Sequence, residues 1–107
     1  METLGGMRVR YISRAREDIQ KIYDWIAKDS LSSARKVENT IHVTGTLLAR
    51  QPELGVATNS PNVRRLPISK LSYAIFYRID WEENYVTVLR IVHSKQVQDL
   101  RRIPERS

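Results

Sequence analysis

The 107 residues carry 18 Lys and Arg against 12 Asp and Glu, giving a formal charge of +6, a pI near 10.0, and no cysteine. That length bounds one domain with a single modest core, and the lack of thiols excludes disulfide scaffolds, thiolate metal sites and cysteine nucleophiles, in keeping with a reducing cytoplasm. The basic balance favours an acidic partner, either nucleic acid or protein, and is equally compatible with a plain solvated surface.

Residues 1–7 lack a basic n-region and an apolar h-region, so they read as a flexible tail and not as a secretory signal, with Met7 as an alternative start. No apolar run reaches the length needed to span a bilayer. Residues 8–13 are β-rich and predict a short first strand. Ser13 is placed as the N-cap of a helix with Glu17 and Asp18 near its start, and Ala15, Ile19, Ile22 and Ile26 recur at helical spacing to about Lys28. Tyr23 and Trp25 flank that stripe. The Asp29-Ser30 step ends the helix, and Ser30 or Ser32 caps a second one, whose stripe of Ala34, Val37, Ile41, Leu47 and Leu48 runs to about Arg50. Gly45 inside it costs on the order of 1 kcal/mol against Ala, and close approach of the first helix is the expected reason. The short link makes the two an antiparallel helical hairpin.

Pro52 stops the second helix, and the chain to Pro61 reads as loop. Three strand-like segments follow, at 62–68, 73–80 and 85–94. The polar link from Trp81 to Asn84 makes the last two a hairpin, and Pro67 points to an edge position for the first. The last strand is apolar on both sides, with Val86, Val88 and Val92 on one and Leu89 and Ile91 on the other. Two helices cover only one sheet face, so the C-terminal tail, another copy or a partner chain must shield part of the second. Residues 97–107 read as a charged flexible tail. The predicted fold class is α+β, in the order β-α-α-β-β-β, with the helical hairpin on one face of a small antiparallel sheet.

This order and several of its motifs resemble the ParE/RelE superfamily of type II toxin–antitoxin toxins, and the ParE-like branch within it. Residues 15–27 are similar to the family's opening A-x-x-D-L-x-x-I-x-x-Y/W-I-A, and Pro52-Glu-Leu-Gly55 to its P-x-L-G. Arg65-Leu66, Tyr73 to Ile79 and Val88 to His93 resemble its R-x-L, Y-x-I-F-Y-R-V and I-L-R-V-L-H. No piece is specific alone; five in the right order are. In the RelE-like branch the resemblance implies a ribosome-dependent ribonuclease, which needs a base, an acid and cationic stabilisers within reach of one phosphate. The branch's early-strand Arg is replaced by Ala74, and no Tyr follows the last strand, which leaves through Ser94-Lys95-Gln96. The ParE-like branch is implied to inhibit DNA gyrase by binding, with no chemistry of its own.

The ParE-like reading assigns no catalytic residue, and target contacts to Arg64, Arg65, Arg90, His93, Lys95 and Gln96. Antitoxin contacts are assigned to Ile22, Trp25, Ile26, Leu47, Arg78 and Leu89. The ribonuclease alternative uses Arg64, Arg65, Arg90, His93 and Lys95 as its cationic and acid–base set. For Arg64 and Arg65 a solvated edge strand is as good an account; Arg78 suits pairing with Asp80, and His93 a backbone-bonded strand end. No His, Asp or Glu spacing suggests a metal, and no cofactor is implied. The implied partners are a cognate ParD-like antitoxin and gyrase, with operator DNA reached only through the antitoxin, in a cytoplasmic toxin–antitoxin hetero-oligomer. A non-toxic RNA- or protein-binding domain is a third reading, weakened by the lack of an aromatic platform for bases.

Overall fold

The computed structural model describes residues 6–95. Strand β1 (Arg8–Tyr11) passes through Ile12 alone into helix α1 (Ser13–Ala27), and helix α2 (Leu31–Arg50) returns. A 3-10 turn (Pro52–Leu54) leads to β2 (Val56–Ala57), β3 (Arg64–Pro67), β4 (Tyr73–Asp80) and β5 (Tyr85–His93). The sheet order is β1-β5-β4-β3-β2. The helical hairpin, the final strand hairpin and the element order agree with the sequence reading. The expectations for the two tails and for Gln96 lie outside the described residues.

The sheet is mixed and not wholly antiparallel, because β1 pairs parallel with β5. β1 enters α1 without a turn and so has no hairpin partner of its own. β5 is apolar on both faces and needs neighbours on both edges; β4 takes one and β1 the other. The segment read as loop contains β2, whose two residues pair with Arg64 and Arg65 and are too few for any periodicity to register. Pro67 does sit where β3 has no outer neighbour, since β2 reaches only as far as Arg65.

Ser30 caps α2 by accepting from the Ser33 N–H at 3.1 Å. Ser13 does not cap α1: it is already helical, Ile12 occupies the cap position, and no side chain bonds there. Gly45 meets β1 and not α1. A Cβ there would overlap the Tyr11 hydroxyl and lie 3.6 Å from Val9 Cγ1, so glycine lets α2 lie close on the edge strand.

Under the helices, Ile41, Leu48, Ile75, Tyr77, Val86 and Val88 form the main core. A bulge alters the expected faces of β5. Phe76 pairs with Arg90 but Tyr77 pairs with Val88, leaving Leu89 unopposed. The alternation therefore resets, and Ile91 joins Val86 and Val88 in the main core while Val92 joins Leu89 on the opposite face. There Val63, Ala74, Phe76, Leu89 and Val92 form a second buried cluster with Ile12 against it. The rest of that face is polar. Thr87 accepts from Arg10 Nε at 2.8 Å and donates to Asp80 at 2.7 Å, and Arg10 also reaches Asp80 at 3.1 Å.

Candidate functional site

β1 covers β5 only as far as Val88. Beyond it, the open edge of β5 is closed by α1. Asp18, 9% exposed, accepts from the Ile91 N–H at 3.0 Å and from Arg90 through Nε at 2.7 Å and Nη2 at 3.2 Å. A buried carboxylate requires such partners. The arginine singled out for target contact is thus held by an internal acid. Asp18 itself sits three residues after Ala15 on the apolar stripe; that spacing was the signal of its burial.

At the other side of the sheet, Arg64 Nη1 donates to the Gly55 carbonyl at 2.6 Å, which ties β3 to the 3-10 turn. The Tyr77 hydroxyl accepts from Gly55 N–H at 2.8 Å and donates to Pro52 O at 2.7 Å. Burial raises the pKa of that phenol above its ordinary value, against a lowering by the Gly55 hydrogen bond. Arg64 pairs with Tyr77 and Arg65 with Phe76, so their side chains leave opposite faces of the sheet. Arg65 Nε is buried without a hydrogen-bond partner. Arg78 pairs with Asp80 at 3.3 Å, as its sequence position suggested. Burial raises the Asp80 pKa, but hydrogen bonds from Thr87 and Arg10 and the charge of Arg78 outweigh it and hold the carboxyl below its ordinary value.

The top of β5 and the first helix border an open cleft of about 350 Å³. Arg14, Lys21, Ile22 and Trp25 of α1 line it, with Tyr73, Arg90 and His93 from the strands. Trp25 is 69% exposed. His93 and Tyr73 stack edge-to-face with centroids 5.2 Å apart, and His93 Nδ1 accepts from the Lys95 N–H at 3.1 Å, which gives the histidine the backbone bond read for a strand end. The Lys95 side chain is exposed just beyond.

Residues assigned to different partners therefore meet here: Ile22 and Trp25 with Arg90 and His93. The remaining antitoxin candidates are dispersed. Ile26 is half-buried on α1, Leu47 is exposed on α2, and Arg78 and Leu89 belong to the far face, Leu89 buried in the second cluster. Sequence reasoning missed Arg14, Lys21 and Tyr73, which approach only through tertiary packing. Among the described residues there is no group of three or more His, Asp or Glu side chains that could hold a metal, and no helix long and apolar enough to cross a membrane.

Residues 9–105 match the profile of one protein family, the ParE toxin of type II toxin–antitoxin systems, parDE. The chain belongs to the ParE toxin family. It is a type II toxin–antitoxin toxin with the ParE/RelE fold. No curated protein gives a match by sequence. Among solved structures, this ParE-family toxin is similar to a chain of the chromosomal ParDE system of Pseudomonas aeruginosa, at 20% identity and a TM-score of 0.72, covering 84% of this chain and 98% of that one. A chain of the RelBE toxin–antitoxin complex from Mycobacterium tuberculosis is similar at 22% identity and a TM-score of 0.64, covering 82% and 98%. A free RelE toxin mutant of E. coli shares 13% identity with a TM-score of 0.68, covering 92% and 94%. Likeness at these identities defines the common fold of two helices on a mixed sheet.

Proposed function

We propose that this ParE-family toxin acts by binding, inhibits DNA gyrase, and is neutralised in the cytoplasm by a cognate ParD-like antitoxin. The observation that carries the reading is how the arginines are engaged. Arg90 is bonded through two nitrogens to Asp18, Arg64 is spent on the Gly55 carbonyl, and Arg65 leaves the opposite face from Arg64. A phosphoryl-transfer site needs its acid, base and cations around one point. These side chains are dispersed over the sheet, and Arg64 and Arg90 are bonded internally, which suits a binding surface better. The family match favours the same branch.

One observation favours the ribonuclease reading. The edge-to-face pair of Tyr73 and His93 supplies a His–Tyr couple that the residues after β5 do not. The experiment that separates the two is direct. Expression arrests growth, and co-expression of the adjoining antitoxin relieves it. The purified toxin then inhibits gyrase supercoiling and leaves ribosome-bound mRNA intact. Ribosome-dependent cleavage that His93→Ala abolishes, with supercoiling unaffected, would overturn the gyrase reading.

A further inference from the structure

The α1–β5 cleft has the chemistry of a recognition site for one acidic group next to one apolar group. It gathers three cations, Arg14, Lys21 and Arg90, against the single carboxylate of Asp18. That carboxylate is already engaged by Arg90 and by the Ile91 N–H, with Arg14 at 3.9 Å. Lys21 has no ion-pair partner among the described residues. Beside these charges lie apolar walls from Ile22 and the exposed ring of Trp25. A volume of about 350 Å³ admits one or two side chains of a segment lying along the open mouth.

We infer that this cleft binds an acidic peptide segment, seating a Glu or Asp carboxylate against Lys21 and Arg14 and the neighbouring apolar side chain on Trp25 and Ile22. A carboxylate seated between Lys21 and Arg14 gains a charge-assisted contact, and the aromatic ring is the natural anchor. A nucleic-acid strand fits worse. Glu17 and Asp24 stand one helical turn either side of Lys21 on α1, so a single carboxylate finds a local positive spot while a run of phosphates meets negative charge on both flanks. Because Arg90 and His93 line the same cleft, an occupied cleft covers residues assigned to the target. The inference rests on the antitoxin reading for the biological source of the peptide, and on the cleft alone for its chemistry.

The test is an NMR titration of the full-length, ¹⁵N-labelled chain with an acetylated, amidated pentapeptide, Ser-Leu-Glu-Leu-Ser, that carries a single carboxylate. The same peptide with Gln in place of Glu, and an oligouridylate of matched length, serve as comparisons. Trp25 lies in the cleft and Trp81 follows the far end of β4, so their two indole N–H signals report binding and its control in one spectrum. The Glu peptide moves Trp25 and leaves Trp81 in place, the Gln peptide moves Trp25 only at severalfold higher concentration, and Lys21→Ala weakens binding of the Glu peptide about fivefold. Lys21 is exposed, so this variant keeps the wild-type dispersion of signals. Equal binding of both peptides, equal movement of both indoles, or a Lys21-dependent site filled by oligouridylate and not by peptide would each overturn the inference. Growth arrest and its relief are scored separately: a toxin without this cleft chemistry still arrests growth, and a cleft that binds peptide in a chain that arrests nothing sinks the toxin reading alone.

Discussion

Asp18 does two jobs that no other residue of α1 shares. It replaces the missing strand neighbour of β5 by accepting from the Ile91 N–H, and it neutralises Arg90 in the same small volume. Removing one member of a buried pair leaves the other uncompensated. Asp18→Ala therefore lowers unfolding stability by about 3 kcal/mol, read from urea denaturation at an unchanged m-value. An Arg90→Ala variant must be judged against the same measurement, since lost target binding without lost stability would assign Arg90 a contact role beyond its pairing. Tyr77 is the second such residue. Its hydroxyl bridges Pro52 O and Gly55 N–H, so Tyr77→Phe costs about 1–2 kcal/mol and frees the 3-10 turn, seen as faster amide exchange at Gly55. Neither role was legible in the sequence. The text places Asp18 near a helix start and Tyr77 in a core strand, but their partners lie 73 and 25 residues away, and only packing brings them together.

The elements themselves were legible where their patterns were long. Both helices, with the boundary at Ser30, and the β4–β5 hairpin follow from apolar spacing and from a polar turn. What escaped was pairing between distant elements: the parallel docking of β1 on β5, and the bulge at Leu89 that moves Val92 to the other face. The docking of β1 is pinned by a polar network. Arg10 on β1 meets Thr87 on β5 and Asp80 at the end of β4, and its guanidinium lies 4.2 Å over the Tyr85 ring. The Asp80 carboxyl is held below its ordinary value of 3.8, so the ionised form is bound more favourably in the folded chain than in the unfolded one. That contribution is complete above the unfolded value and is lost as pH falls through the folded one. Asp80→Asn accordingly destabilises the protein by about 1 kcal/mol near neutrality, and the gap to wild type closes below pH 3.8. A constant gap across an acid series of thermal melts would mean that Asp80 acts through shape and not charge.

At the scale of the molecule, the charge of +6 is distributed unevenly with respect to its two exposed tryptophans. Trp25 stands at the α1–β5 cleft among Arg14 and Lys21, with Lys28 Nζ 5.1 Å from its ring centroid. Trp81 sits at the opposite end of the sheet, precedes Glu82 and Glu83, and shares its surroundings with Glu53 and Arg64. Their exposures, 69% and 61%, are nearly the same, so apolar area alone does not distinguish them as anchors. Charge does. An antitoxin segment that is acidic is drawn more strongly to the first end, where Arg14, Lys21 and Lys28 outnumber Asp18 and Asp24, than to the second, where Arg64 stands against Glu53, Glu82 and Glu83. Trp25→Ala is therefore expected to weaken antitoxin binding about tenfold, within the range of an aromatic anchor, and Trp81→Ala by less than about twofold, both by calorimetry on the full chains. Raising the salt should shrink the preference, because the part that selects one end over the other is screened while the apolar contact is not. Equal losses from the two substitutions, or a larger loss at Trp81, would place the interface at the acidic end and remove charge complementarity as its organising force.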